Sequence, residues 1–226
     1  MTARQLNHVL TPPAEYEARR SGSFHRRRVD TILAAMTVSE PICIAGELGC
    51  GTGAVLADVA HSRANVSFVG VDVDEPLLRY AREHHAPPNV TYELSDATEI
   101  AGREFDFLFS IDFVHHLHDH LATLRAIRQR LRSGGAWVLI EPNVWHPVMA
   151  WKQERMKRQG LGEDHFYPRR MQRLFSSTGF EVGMKRYLHA LPASVNATAP
   201  RLAKLEQMAE RLPPLGASVI YVLRAV

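Results

Sequence analysis

Three glycines at alternate positions, Gly49, Gly51 and Gly53 in "GELGCGTGA", stand between an apolar run and a segment whose apolar residues recur at helical spacing. A loop of this composition adopts backbone angles closed to other residues and lets a ligand come close to the main chain. The helix that opens near Thr52 turns its free N–H groups and positive dipole end into the same space. That end favours a carboxylate or phosphate by about 0.3–1 kcal/mol. Asp72 closes the next apolar run, near the offset of roughly 20 residues at which a carboxylate meets a ribose diol. Loop and acid alone leave two ligands equally open, because Gly49-x-Gly51-x-x-Ala54 also satisfies the dinucleotide fingerprint. Other residues bear on the choice. Glu47, two positions before the first glycine, would set a negative charge beside a pyrophosphate, whereas a cationic ligand would welcome it. Asp96 in "LSDATEI" can accept from an exocyclic amino group such as adenine's. No Tyr is followed by Lys four residues on, so the Tyr-x-x-x-Lys pair of one large group of reductases is absent. Three carboxylates around one crevice suit a zwitterionic, positively charged nucleoside.

A second cluster is "HHLHDH" at 115–120. His116 and His120 share a helix face at i, i+4 spacing, which raises a metal-binding reading. No HExxH and no distant matching ligand set accompanies them, and no metal is expected. His115 and His116 are the candidates for a catalytic base, since an imidazole titrates near working pH; capping or wall packing is the structural alternative. Glu141, Asn143 and His146 in "EPNVWHPV" follow an apolar run and should rim the same opening, with His165 and Tyr167 above them as substrate-side candidates.

These residues need elements to hold them. "ICIAGE" at 42–47, "VSFVGVD" at 66–72, "VTYEL" at 90–94, "FDFLFSI" at 105–111 and "AWVLIE" at 136–141 read as strands. Between them fall helical or short connecting segments, among them "AVLADVA", "EPLLRYAREHH" and a helix from about Asp119 to Arg132. Near-continuous apolar strands alternating with helices predict a parallel sheet covered on both faces, a doubly wound α/β domain. "FHRRRVDTILAAM" from Phe24 predicts a helix that closes the crevice from one side. Helices around 147–158 and 168–178 precede two further strands, "GFEVGMKRYL" and "ASVIYVLRAV", expected as an antiparallel edge pair separated by a Pro-rich, partly helical insertion at 188–216 on the substrate side. Residues 1–23 are expected as a flexible N-terminal arm and 24–226 as a single domain.

Composition narrows the setting. The 226 residues carry 46% hydrophobic and 23% charged side chains and a formal net charge of +3, an ordinary globular balance. So small an excess favours no nucleic-acid partner; the arginines of "ARRSGSFHRRR" and of 125–132 read as a solvated face. The two cysteines, Cys43 and Cys50, flank one buried strand and suit a reducing compartment. No apolar run approaches the roughly 20 residues of a bilayer span, and residues 1–20 lack a signal-peptide core; the expected location is the cytoplasm.

Taken in order, the motifs resemble those of the class I S-adenosylmethionine-dependent methyltransferases over about residues 24–187. "ELGCGTG" is similar to the family's first motif, "GVDVDEPLL" to its second, "SDATEI" to its third and "FDFLFSIDFVHHLHD" to its fourth-strand region. "LRSGGAWVLIEPN" and "RLFSSTGFEV" are similar to its fifth-strand and late-helix segments. The resemblance implies a Rossmann-like, mostly parallel seven-stranded sheet whose last strand is antiparallel, S-adenosylmethionine as donor and S-adenosylhomocysteine as product. It places the donor's methionyl end against Gly49, Gly51 and Gly53 with Glu47 near its amino group. Asp72 would take the ribose hydroxyls, Val73 would pack on adenine, and Asp96 with Ala97 would meet the adenine edge. Ile111 and Asp112 would line the donor near sulfur. No Asp/Asn-Pro-Pro-aromatic segment follows the fourth strand, where "SIDF" stands instead, so a small or medium organic acceptor is expected over the amino groups of nucleic-acid bases. The competing readings are a nicotinamide-dependent oxidoreductase, an RNA-directed methyltransferase and a non-catalytic binding protein on the same fold.

Overall fold

The structure is a computed structural model that describes residues 11–20, 23–39, 41–100, 102–158, 167–190 and 202–226. Seven strands form one sheet: β1 (Ile44–Leu48), β2 (Ser67–Asp72), β3 (Val90–Leu94), β4 (Phe105–Ile111), β5 (Leu131–Pro142), β6 (Phe180–Leu188) and β7 (Ser218–Ala225). Their order is β3-β2-β1-β4-β5-β7-β6. The pairs from β3 across to β5 are parallel, and β7 lies antiparallel between β5 and β6. The central strands are buried on both faces, which explains their unbroken apolar runs: Leu108 and Leu139 join one half of the core, while Phe107, Phe109 and Val138 join the other. The final strands form the expected antiparallel pair at one edge of the sheet. β7, fully apolar over Val219–Leu223 and buried, enters the sheet interior, and the amphipathic β6 takes the edge.

Helices cover both faces: α1 (Pro13–Arg20), α2 (Ser23–Thr37), α3 (Ala54–His61), α4 (Glu75–His84), α5 (His120–Arg130), α6 (Pro147–Arg158), α7 (Pro168–Ser177) and α8 (Leu202–Ala209). α4 and α5 begin as their sequences predict, with Asp74 capping Leu77 N and Asp119 capping Ala122 N. β5 begins at Leu131 instead of Ala136, because Leu131 already pairs with Phe105 before the register shifts. Part of the segment expected as a flexible arm is ordered. Residues 1–10 lie outside the described residues, but Pro13–Arg20 is a helix, with Pro13 at its first position and a Glu15–Arg19 ion pair one turn apart. Of the 188–216 insertion, 191–201 lies outside the described residues, and 202–209 is α8.

Candidate functional site

The crevice lies beyond the carboxyl ends of β1, β2 and β4, beside the switch in strand order at β1/β4 where open α/β sheets bind ligands. Gly49, Gly51 and Gly53 have φ of 70°, 54° and 76°, all in the left-handed region that β-carbons disfavour. A β-carbon on Gly53 would sit 2.3 Å from the Tyr92 hydroxyl oxygen. The loop is tied to β2: Gly49 N and Cys50 N both donate to Val71 O, at 2.8 and 3.1 Å. Asp72 completes the tie, accepting from Gly51 N through Oδ2 (2.7 Å) and from Asp74 N through Oδ1 (3.0 Å). The expected diol acceptor thus also fixes the shape of the loop.

Glu47, on β1 beneath the loop, is buried, and its Oε2 has no hydrogen-bond partner. Burial pushes its carboxyl well above the ordinary range, and Arg20 and Arg28 pull it back only in part. Those arginines come from α1 and α2 and converge on Asp112, Arg20 Nη2 at 2.7 Å and Arg28 Nη2 at 3.1 Å from the same Oδ2. Burial alone would raise the Asp112 carboxyl, but the two guanidiniums hold it well below its usual value. Arg28 Nε is buried without a partner. Tyr16 of α1 lies over Gly51, within 3.4 Å of where a β-carbon would be. Two further pairs fasten the N-terminal helices to the core, Glu17 Oε2 to His85 Nε2 at 2.8 Å and His25 Nε2 to Asp58 Oδ2 at 2.7 Å. Between helices and loop remains a cavity of about 210 Å³, lined among others by Tyr16, Arg20, Arg28, Glu47, Gly49 and Ile111. The residues that the sequence reading missed here are Tyr16, Arg20 and Arg28; the signal was the Pro-initiated "PAEYEARR" with its i, i+4 charge pair.

At the adenosine end expected from the motifs, Val73 is 53% exposed, unusual for an apolar residue beside a loop otherwise well covered, and Ala97 is buried. Asp96 is exposed; its Oδ1 accepts from Thr98 N and Oγ1 in an Asx turn, so this carboxylate shapes its own loop.

The histidine cluster has a different arrangement from a metal site. Among the described residues no group of three or more His, Cys, Asp or Glu side chains is placed to hold a metal ion. His115 is buried with Nδ1 2.6 Å from Glu141 Oε2, and His116 lies against it, ring centroids 4.0 Å apart. Glu141 Oε1 accepts from Phe113 N and Val114 N at 3.0 and 2.7 Å. Glu141, expected on the rim, is therefore a fully buried carboxylate that fixes the loop after β4 and orients His115. Asn143 is likewise buried, its Nδ2 donating to Pro213 O and Gly216 O, which ties the end of β5 to the approach of β7. Glu141 is covered by the loop after β4 that it accepts from, and Asn143 by the 213–216 segment that leads into β7. His146 is half-buried, with Nδ1 unpartnered and its pKa lowered by burial. Tyr167 is exposed at the start of α7, and His165 lies outside the described residues.

Comparison with known proteins agrees with this geometry. Residues 46–135 match the sequence family described as a methyltransferase domain. Over 110 residues the chain is 31% identical to trans-aconitate 2-methyltransferase of Deinococcus radiodurans, covering 49% of this chain and 42% of that protein. It is 33% identical over 93 residues to a ubiquinone biosynthesis O-methyltransferase of a Ruegeria species, covering 39% of this chain and 37% of that one. The chain thus spans about two-fifths of these relatives' length. In overall fold it is similar to geranyl diphosphate C-methyltransferase of Streptomyces coelicolor solved with S-adenosyl-L-homocysteine (TM-score 0.68, 15% identity, 90% of this chain and 80% of that one). The N-methyltransferase NodS of Bradyrhizobium japonicum, also solved with that product, has the same fold (TM-score 0.61, 12% identity, 91% and 89%). The sheet order and the ligand crevice at its switch point define a Rossmann-like α/β protein of the methyltransferase type. The methyltransferase-domain match over residues 46–135 and these neighbours support the class I S-adenosylmethionine-dependent methyltransferase family.

Proposed function

We propose that the protein is an S-adenosylmethionine-dependent methyltransferase that moves a methyl group to a small or medium organic acceptor by direct in-line displacement. The observation that carries this reading is the charge pattern around Glu47. A buried carboxylate with an unpartnered oxygen faces two arginines across one cavity. A zwitterionic amino-acid end, with one ammonium and one carboxylate, satisfies both sides. A pyrophosphate would raise the Glu47 carboxyl further and offer it no cationic partner, whereas the donor ammonium would favour its ionised form, which speaks against the nicotinamide reading.

When bound, the donor supplies a methyl group already activated on a sulfonium. The residues of the chain bind and orient. Glu47 Oε2 would accept from the donor ammonium, and Arg20 and Arg28 would donate to the donor carboxylate while remaining paired with Asp112. Asp72 keeps lone pairs for the ribose hydroxyls while holding the glycine loop, and Val73 offers an apolar surface to the adenine with Asp96 and Ala97 at its edge. Tyr16 and α1 would exclude water above the loop. Holding the reactants in line contributes up to about 7–11 kcal/mol of barrier reduction without a covalent step. His115 and His116 both lie near enough to act on the Asp112 carboxylate. Glu141 accepts the Nδ1 proton of His115 and so directs the lone pair of its ring to Nε2. We assign the pair to proton removal from an acceptor that arrives protonated. The relatives named for O-methyl transfer and for trans-aconitate support a small-molecule acceptor, and two free thiols, Cys43 and Cys50, suit a reducing cytoplasm.

The test is an extract incubated with the protein and donor labelled in its methyl group. One small metabolite should gain the labelled methyl mass, and that gain should vanish in the Asp72→Ala variant. A label that enters only RNA, or no compound, would refute the acceptor class.

A further inference from the structure

α8 is amphipathic in the reverse sense for a helix exposed to water. It buries Glu206, and the turn just after it buries Glu210, at 3% and 5% exposure, where Arg27 of α2 bridges both at 2.6 and 2.7 Å. On its outer side Leu205 is 59% and Met208 64% exposed, and Leu212 follows one turn later at 54%. α6 repeats the inversion: Gln153 is buried while Val148 and Trp151 are 61% and 62% exposed, with Trp145 just before the helix at 41%. Asn143 joins the two segments, since its amide holds Pro213 O and Gly216 O, and Trp145 N donates to its Oδ1. The segments that carry both apolar tips are thus tied to the carboxyl end of β5.

A cation stands by each of the two indoles. Arg155 lies over the Trp151 ring at 5.8 Å and Lys185 over the Trp145 ring at 6.0 Å. Residues 143–158 carry Lys152, Arg155, Lys157 and Arg158 against Glu154 alone, four positive charges less one negative, or +3, and Glu154 is already paired with Arg158. Indole and aliphatic tips ringed by lysine and arginine are the pattern of helices that lie in a membrane interface. A second copy of the chain would bring two net-positive segments together across a two-fold axis, which like charge opposes.

We propose that this face, built from α6, the Trp145 turn and α8, docks the protein on an anionic lipid bilayer, with the apolar tips inserted shallowly and the cations on the headgroups. No helix among the described residues is long and apolar enough to cross the membrane, so the attachment is peripheral.

Cosedimentation of the full chain with vesicles tests this without donor or acceptor, so its outcome is independent of the methyltransferase reading. The protein should pellet with vesicles of phosphatidylcholine and phosphatidylglycerol, remain in solution with phosphatidylcholine alone, and be released by added salt. The pairs Val148→Ser/Trp151→Ser and Leu205→Ser/Met208→Ser should each lower the bound fraction roughly ten-fold, as should Lys152→Glu/Arg155→Glu. Thermal unfolding identifies any pair that fails to fold, and the remaining pairs then decide. No pelleting with anionic vesicles would overturn the proposal, as would undiminished pelleting of the folded variants. A dimer in light scattering that the serine pairs convert to monomer would overturn it in favour of a self-interface.

Discussion

Asp72 performs two tasks with two oxygens. Its bonds to Gly51 N and Asp74 N make it part of the loop that it was expected only to accompany. Asp72→Ala should therefore weaken S-adenosylhomocysteine binding by about 1.5–3 kcal/mol, the range for hydrogen bonds to a charged group, with some loss of thermal stability as the loop N–H groups lose their acceptor. Glu47→Gln separates the two effects. Its carboxyl is raised by burial, so the ionised form is disfavoured in the folded chain and any stability it costs grows as pH rises through the folded pKa. The amide variant should match or exceed the parent in thermal stability at neutral pH while losing donor affinity by a similar 1.5–3 kcal/mol. Calorimetric titration and thermal unfolding of the same two variants check both halves; full affinity in Glu47→Gln would remove Glu47 from the binding account.

At the scale of elements, the N-terminal helices and α8 are joined by buried polar groups more than by apolar packing. Arg27 clamps α8 through its two acids, and Glu210 also accepts from His189 N at 2.8 Å. His189, at φ 62°, packs against Phe24 with ring centroids 4.1 Å apart. Burial, with Arg28 and Arg27 nearby, lowers its pKa from 6.5 to about 3. A histidine whose folded pKa lies below its unfolded value stabilises the fold fully above the unfolded pKa and loses that contribution as pH falls from 6.5 toward 3. His189→Asn, which tolerates the left-handed backbone, should flatten the fall in melting temperature across that window. An unchanged acid limb would show that His189 titrates freely.

The same scale shows what could be read from sequence. Periodicity fixed β2, β3 and β4 and the helices α3 and α4 almost to the residue, because each is a single apolar pattern bounded by Gly, Pro or Asp. It could not place β7 between β5 and β6, since sheet order depends on pairings between distant segments. Glu141 and Asn143 were misread as rim residues because their partners, the loop after β4 and the 213–216 segment, lie 26 or more positions away. α1 was missed because it buries no side chain: without an apolar stripe, only its proline start and its charge pair marked it as a helix. Arg20 and Arg28 are 92 and 84 positions from Asp112, a distance over which no local pattern speaks.

In the molecule as a whole, a mostly parallel sheet presents a glycine loop and three acids at one end, and two N-terminal helices close over them with arginines. The segments that carry the reverse-amphipathic α6 and α8 are tied to the carboxyl end of β5. The proposed donor site sets Glu47 against Arg20 and Arg28, and the reading of donor and chemistry depends on a zwitterion filling it. Isothermal titration of the full chain with S-adenosylhomocysteine and, separately, with NAD puts that dependence to the test most directly. The account predicts saturable one-to-one binding of the first, weakened in Asp72→Ala and Glu47→Gln, and no heat from the second; binding of NAD with no response to S-adenosylhomocysteine would contradict it.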